Sequence, residues 1–189
     1  MRPGRTIRRI WRNGLQLAYG FDRWHVGHGG EQYAADIVRA LNAWPEPDRQ
    51  AVVEIGCGLG DIIRRVRFQE RVGLDRDPRV LRAARLLGAF EGARRTRFEV
   101  FEFPAARLTG IYNAIVMVNW IHAIDPERLH QSLSLYYAQH LRPGGAIVLD
   151  TVEDSAYGYN HDVRRLAPAG ASIDHLGEYP RGRHVWVVR

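Results

Sequence analysis

A short apolar run, Val52-Val53-Glu54-Ile55, enters the glycine-rich turn Gly56-Cys57-Gly58-Leu59-Gly60 and then Asp61-Ile62-Ile63. Strand, tight loop and amphipathic segment in that order are the signature of a nucleotide-type pocket in an α/β sheet. The glycine spacing narrows the ligand. A dinucleotide loop reads G-x-G-x-x-G, so that a pyrophosphate rests on bare amides at a helix N-terminus. Here the third glycine comes one residue early, and Asp61 follows it. Its carboxylate would lie where a diphosphate's charge should go, so the loop suits a ligand that carries a nucleoside and a positive charge without phosphate.

With Glu54, Gly56, Gly58 and Gly60 in this order, the chain resembles the class I S-adenosylmethionine-dependent methyltransferases, whose first motif is an acid followed by G-x-G-x-G. A second run, Arg71-Val72-Gly73-Leu74-Asp75, ends in a carboxylate twenty-one residues past Glu54. An acid about 20 residues past the first strand holds the ribose hydroxyls in this architecture. A third likeness, Leu141-Arg142-Pro143-Gly144-Gly145, turns into the apolar run Ala146 to Asp150. The resemblance implies a single-domain, Rossmann-like, doubly wound α/β sheet of about seven mostly parallel strands with a C-terminal antiparallel hairpin. Residues 31–189 would form the domain and residues 1–30 a basic segment and lid. The implied cofactor is S-adenosylmethionine, leaving as S-adenosylhomocysteine. The implied cofactor-binding residues are Glu54, Gly56, Cys57, Gly58, Gly60, Asp75, Arg76, Glu102, Phe103, Asn119 and Trp120. Phe101 or Phe103 could equally stack on the adenine.

The single cysteine, Cys57, sits in the loop, so no disulfide forms within the chain. Its thiol is either reactive or merely small enough for a tight turn. No apolar run approaches the ~20 residues of a membrane span, and the first residues lack the apolar stretch of a secretory signal, so a cytoplasmic protein is expected. The formal charge of +6 raises the question of nucleic acid. The arginines are spread along the chain, which fits a solvated surface, and no nucleic-acid partner is expected. An anionic small substrate remains compatible. No metal-ligand spacing occurs, and the protein is expected to be a monomer or homodimer.

Residues 1–20 carry a helical apolar spacing broken by Gly14 and Gly20. Tyr19 to Gly30, dense in aromatics, histidines and glycines, reads as an irregular lid over the ligand; alternatively Phe21 and Trp24 pack on the surface. Helices are expected over Glu31–Trp44, stopped by Pro45 and Pro47, over Ile62–Phe68 with its arginines facing water, after Asp77-Pro78, and after Asp125-Pro126. The third strand is Thr96–Phe101 and the fourth Tyr112–Asn119. A helix runs through Leu166, and Ser172–Tyr179 with His184–Val188 forms a hairpin.

Ligands in open α/β sheets sit beyond the carboxyl ends of the strands, so Asn119, Trp120 and His122 belong at the reacting end. The segment lacks the N-P-P-Y pattern that enzymes acting on nucleobase amino groups carry. Candidate bases or substrate-orienting groups are His25, His122 and His161. Tyr19, Trp24, Trp120, Tyr157 and Tyr159 join these histidines as candidate substrate contacts, or as a cation–π wall for a sulfonium. The function expected is N- or O-methylation of a small molecule by in-line displacement, in secondary or cell-surface metabolism. The alternatives are an RNA or protein methyltransferase and a catalytically silent cofactor-binding subunit.

Overall fold

The structure is a computed structural model and describes residues 5–27, 31–90, 93 and 95–189. In chain order it runs α1 (Arg5–Tyr19), α2 (Trp24–Gly27), α3 (Gln32–Asn42), β1 (Ala51–Ile55), β2 (Glu70–Asp75), α4 (Pro78–Phe90), β3 (Thr96–Val100) and β4 (Tyr112–Met117). It then continues with α5 (Pro126–His140), β5 (Leu141–Val152), α6 (Val163–Leu166), β6 (Ile173–Tyr179) and β7 (Arg183–Val188).

The strands form one seven-stranded sheet in the order β3-β2-β1-β4-β5-β7-β6. The first five are parallel, and β7 runs antiparallel to both β5 and β6. Reversal of strand order on either side of β1 creates a crevice beyond the carboxyl ends of β1 and β4, where ligands of such sheets bind. The two central strands explain themselves. Every residue of β1 and β4 is buried, as helices on both faces demand of a parallel strand. One face is packed by α3 and α4 through Ile37, Leu41, Leu81 and Ala84, and the other by α5 and α6 through Leu129, Leu133 and Leu166. Each large aliphatic side chain so enclosed contributes roughly 1.5–3 kcal/mol.

The helix starts follow their local chemistry. Pro126 opens α5, and the Asp125 carboxylate accepts hydrogen bonds from the backbone N–H of Glu127 (3.1 Å) and Arg128 (3.2 Å). The Leu-Arg-Pro-Gly-Gly segment lies within β5: Leu141 pairs with Tyr112, the next pair is Ala114 with Ala146, and the residues between bulge from the ladder.

Three expectations change. First, α1 continues through Gly14 to Tyr19. Second, Trp24–Gly27 forms a turn of helix inside the segment read as irregular, while His28 to Gly30 lie outside the described residues. Third, Ile62–Phe68 is a run of turns in place of a helix, held by Arg64 N–H to Gly60 O (3.1 Å) and Val66 N–H to Ile62 O (3.2 Å). Arg64 does not face water. It is buried, and its Nε donates to the carbonyls of Leu59 and Gly60 at 2.9 and 3.1 Å. A guanidinium that caps these carbonyls competes with the helical pattern that apolar periodicity alone predicts. Among the described residues no helix is long and apolar enough to cross a membrane.

Candidate active site

Beyond β1 and β4 lies a cleft of about 930 Å³. Its floor is the glycine loop. Gly56 and Gly58 have φ of +73° and +52°, a region that favours glycine. Their missing side chains matter as much as their dihedrals. A Cβ on Gly56 would stand 2.3 Å from the Trp120 ring, and one on Gly58 would stand 2.9 Å from His25 Nδ1. The missing side chains therefore leave room for two aromatic rings, which lie against this backbone and line the cleft. Trp120 is fixed there by its indole N–H, which donates to Ile55 O at 2.6 Å, and by Phe103 edge-on at 5.0 Å between centroids.

Asp75, at the end of β2, is buried, and its two oxygens are divided. Oδ2 accepts from Gly58 N–H at 2.8 Å and Oδ1 from Asp77 N–H at 3.0 Å. The carboxylate thus ties the loop to the α4 entrance and keeps a free lone-pair direction on each oxygen for a diol. Deeper, Glu54 accepts from Ile63 N–H at 2.8 Å. Burial pushes its pKa from 4.5 up to about 8. A raised pKa favours the folded state while the group is protonated, so this site's contribution is full below pH about 4.5 and is lost as pH rises to about 8. Glu54→Gln is expected to flatten that decline, worth on the order of a few kcal/mol, in denaturant titrations run across this pH range. An unchanged slope would refute the assignment.

Burial and the neighbouring Glu54 and Asp75 charges raise the pKa of the Cys57 thiol well above its usual value, so it stays protonated and unreactive. Of its two sequence readings, small loop residue fits. Asp61 is different. Burial raises its pKa, but ion pairs with Arg12 from α1 and with Arg64 outweigh that and hold it ionised.

The cleft is lined by six acidic side chains, Asp22, Glu54, Asp61, Asp75, Asp77 and Glu102, against two arginines, Arg76 and Arg79. A protein of formal charge +6 thus presents an acid-rich pocket. Bare glycines, a carboxylate placed for a diol and an excess of acids fit S-adenosylmethionine and disfavour a dinucleotide diphosphate.

The far end of the cleft holds an arrangement that the sequence reading did not find. Asp150, fully buried in β5, accepts from Asn119 N–H at 2.8 Å, faces His122 Nε2 at 3.3 Å and ion-pairs with Arg183 of β7. Arg183 also donates to Asn119 Oδ1 at 2.9 Å and stacks on Tyr33, its guanidinium 4.9 Å from the ring centroid. These contacts hold Asn119 at φ +74°, a left-handed conformation that a non-glycine residue keeps only when its surroundings impose it. His122 is buried, and burial together with the Arg183 charge lowers its pKa to about 4. The nearby Asp150 does not reverse this, because Arg183 already compensates that carboxylate. At neutral pH the imidazole is therefore uncharged. With Nε2–H donated to Asp150, Nδ1 is left as an acceptor, and it has no hydrogen-bond partner among the described residues.

Most of the expected site residues converge. Trp24, His25, Glu54, Gly56, Cys57, Gly58, Asp75, Arg76, Glu102, Phe103, Asn119, Trp120, His122 and Tyr157 all line the cleft. Gly60 lies beneath it, against Phe98. Tyr19, Tyr159 and His161 are not among the lining residues. Tyr19 packs on the core, and Tyr159 is exposed and stacked on His161 at 5.9 Å. His161 is buried behind His122, with Nε2 on Ile121 O at 3.0 Å. Among the described residues no group of three or more histidine, cysteine or acidic side chains could hold a metal ion.

Residues 53–147, just over half of the 189-residue chain, match the profile of a family described as a methyltransferase domain. No curated protein matches the sequence. Among solved structures, magnesium protoporphyrin IX methyltransferase (ChlM) from Synechocystis PCC 6803 with bound SAH is similar at a TM-score of 0.69 and 16% identity, over 98% of this chain and 100% of that one. TnmH is similar at 0.64 and 22% identity, over 95% and 57%. The DhpI–SAH complex is similar at 0.63 and 13% identity, over 96% and 94%. The chain therefore spans all of the Synechocystis enzyme and little more than half of TnmH. At these identities the likeness is one of fold. The profile match runs from the glycine loop to the fifth strand on this sheet order, and the chain accordingly belongs to the methyltransferase-domain family, the S-adenosylmethionine-dependent methyltransferases of Rossmann-like fold.

Proposed function

We propose that this chain transfers a methyl group from S-adenosylmethionine to the nitrogen or oxygen of a small molecule. The observation that carries the reading is the bare Gly56–Gly58 backbone beside Asp75, in a cleft whose charge is negative. The cleft volume of about 930 Å³ lies at the upper end of small-molecule sites, which run from roughly 300 to 1,000 Å³. The Synechocystis protein, of equal extent, is by name a methyltransferase of magnesium protoporphyrin IX, so this fold handles a small acceptor without an added domain.

When bound, the sulfonium supplies the electrophilic methyl group and the driving force of its own neutralisation. The protein's part is alignment, an effect of roughly 7–11 kcal/mol at best. Asp75 holds the ribose end and the glycine loop the amino-acid end. Trp120 and Tyr157 wall the acceptor side, and an O–H or N–H of the acceptor would satisfy His122 Nδ1, which is buried and has no hydrogen-bond partner among the described residues. With a pKa of about 4, His122 orients the nucleophile as a hydrogen-bond acceptor and does not store its proton. The pH–rate profile should accordingly show no His122 limb near neutrality, its activity falling only as pH drops toward 4.

His122→Gln is expected to leave S-adenosylhomocysteine affinity within about twofold and to lower kcat/KM by roughly 10²-fold, read by calorimetry and by turnover. Incubation with a labelled methyl donor and fractionated metabolites should place label in a small-molecule fraction. Label confined to RNA or protein would reject the acceptor class, and failure to bind S-adenosylmethionine would reject the whole reading.

A further inference from the structure

Two histidines meet across the terminal hairpin. His184 Nδ1 lies 3.2 Å from His175 Nε2, and the rings are 5.3 Å apart between centroids and tilted by 40°. Nine positions separate the two in sequence, and the antiparallel pairing of β6 with β7 brings them together. Both rings pack on Trp186, whose centroid is 4.5 Å from His175 and 5.9 Å from His184. Trp186 is itself pinned by its indole N–H, which donates to Thr151 Oγ1 at 2.9 Å. The pair therefore stands on a fixed platform at the surface, with His175 exposed and His184 half-buried.

As it stands the pair shares one N–H···N hydrogen bond, which stabilises little at an exposed position because water competes for both nitrogens. The same separation suits a shared metal ion. Nitrogens bound about 2.0–2.1 Å from a tetrahedral zinc ion are about 3.3–3.4 Å apart, and two neighbouring nitrogens on a square-planar ion are about 2.9 Å apart. At 3.2 Å the facing nitrogens need only small ring rotations to replace the shared proton with an ion.

The register brings a carboxylate to the same side. β6 is irregular between His175 and Gly177, and Leu176 has no partner in the ladder. Residues three apart on a regular strand face opposite sides. The extra residue instead sets His175, opposite Trp186, and Glu178, opposite His184, on one side of the hairpin. Val185 and Val187, which alternate with His184 and Trp186, are buried in the core on the other side, where Leu176 and Tyr179 also pack. No third ligand is in place among the described residues. Glu178 is exposed, however, and directly opposed residues have Cβ atoms about 4.5–5.5 Å apart, within reach of a glutamate side chain. Two imidazoles and one carboxylate, with positions left for water, suit zinc and the neighbouring transition metals, whereas magnesium and calcium take oxygen ligands.

We propose that His175, His184 and Glu178 form a surface site for one divalent transition-metal ion of the zinc type. The ion clips β6 to β7. His184 directly follows Arg183, the counter-charge of Asp150, so an occupied site steadies the strand that closes the acceptor end of the cleft. The site stands independently of the methyl-transfer reading.

The test is calorimetric titration of the full chain, stripped of metal with a chelator, with zinc chloride and separately with magnesium chloride, together with thermal melting. One zinc ion per chain should bind and magnesium should not, and free zinc at a hundredfold excess over its Kd should raise Tm by roughly 5–10 °C. His175→Ala and His184→Ala should each weaken zinc binding at least about tenfold and remove most of the rise in Tm, and Glu178→Gln should weaken binding severalfold. His175 is exposed, so metal-free His175→Ala should melt within about 2 °C of the parent protein, which separates loss of a ligand from loss of the fold. Absence of zinc binding, binding unchanged in both histidine variants, magnesium bound as tightly as zinc, or full zinc affinity in Glu178→Gln would each overturn the site. A drop in metal-free stability of His175→Ala with no zinc-dependent rise in the parent would leave the pair as a plain hydrogen bond and overturn it too.

Discussion

Asp75→Ala should abolish measurable binding of S-adenosylmethionine, weakening it by at least about 10²-fold in calorimetry. Two losses combine. The ribose hydroxyls lose their charged acceptor, and Gly58 N–H and Asp77 N–H lose the carboxylate that they now share at 2.8 and 3.0 Å. Hydrogen bonds to a charged group contribute roughly 1.5–3 kcal/mol each, and an orphaned buried amide costs about as much again. Asp75→Asn separates the two effects. Its amide oxygen keeps one of the backbone bonds and the isosteric shape, but its NH₂ opposes the other, so the variant should fold nearly normally and still bind poorly. If Asp75→Ala bound S-adenosylmethionine as tightly as the parent protein, the cofactor half of the site would be wrong.

Arg183→Met is expected to give the largest change in stability, a loss of about 3–5 kcal/mol, because it strips the counter-charge from a fully buried Asp150. The same change should be visible in proton binding. In the parent protein Arg183 compensates Asp150 and helps to keep the His122 pKa near 4. Without it, the His122–Asp150 pair should take up a proton at distinctly higher pH, seen in the titration of the His122 ring by NMR. By linkage, the variant's deficit is greatest where the parent keeps the pair deprotonated, at neutral and higher pH, and narrows as acid supplies the missing positive charge. Asp150→Asn in the same chain removes the stranded charge and should recover part of the stability. An Arg183→Met protein as stable as the parent, with His122 still titrating near 4, would show that the ion pair does not organise this end of the cleft.

What the chain discloses before folding follows from how local each signal is. The glycine loop and the carboxylate at Asp75 are local patterns whose residue types are required by backbone geometry or ligand chemistry, and both fall where their spacing predicts, whereas the Leu-Arg-Pro-Gly-Gly segment, read as a turn into the fifth strand, lies within β5. The mostly apolar β1 and β4 are legible for the same reason, since burial on both faces favours such a composition, with Glu54 and Asn113 the polar exceptions. The polar network is not. Asp150 reads as an ordinary strand end, and its partner lies 33 residues on, within what looks like a plain hairpin. Only the antiparallel pairing of β7 with β5, which sets Val152 against Arg183, brings the two together. A signal existed: an arginine opening one mostly apolar strand and an aspartate near the end of another. The turn run at 60–66 was misread as helix because apolar spacing says nothing about the Arg64 guanidinium competing for the loop carbonyls. Tyr159 and His161 share a segment with Tyr157, yet the chain turns between them, so one lines the cleft and the others lie outside or behind it.

The counter-charge for Asp150 has a consequence for how the chain is made. Ribosomal synthesis delivers the cofactor half, through β4, well before Arg183 leaves the tunnel, and until then the fifth strand carries a carboxylate that cannot be enclosed cheaply. A nascent chain can thus acquire the nucleoside cradle early, while its acceptor end must wait, wet and unlocked, for β7 to arrive.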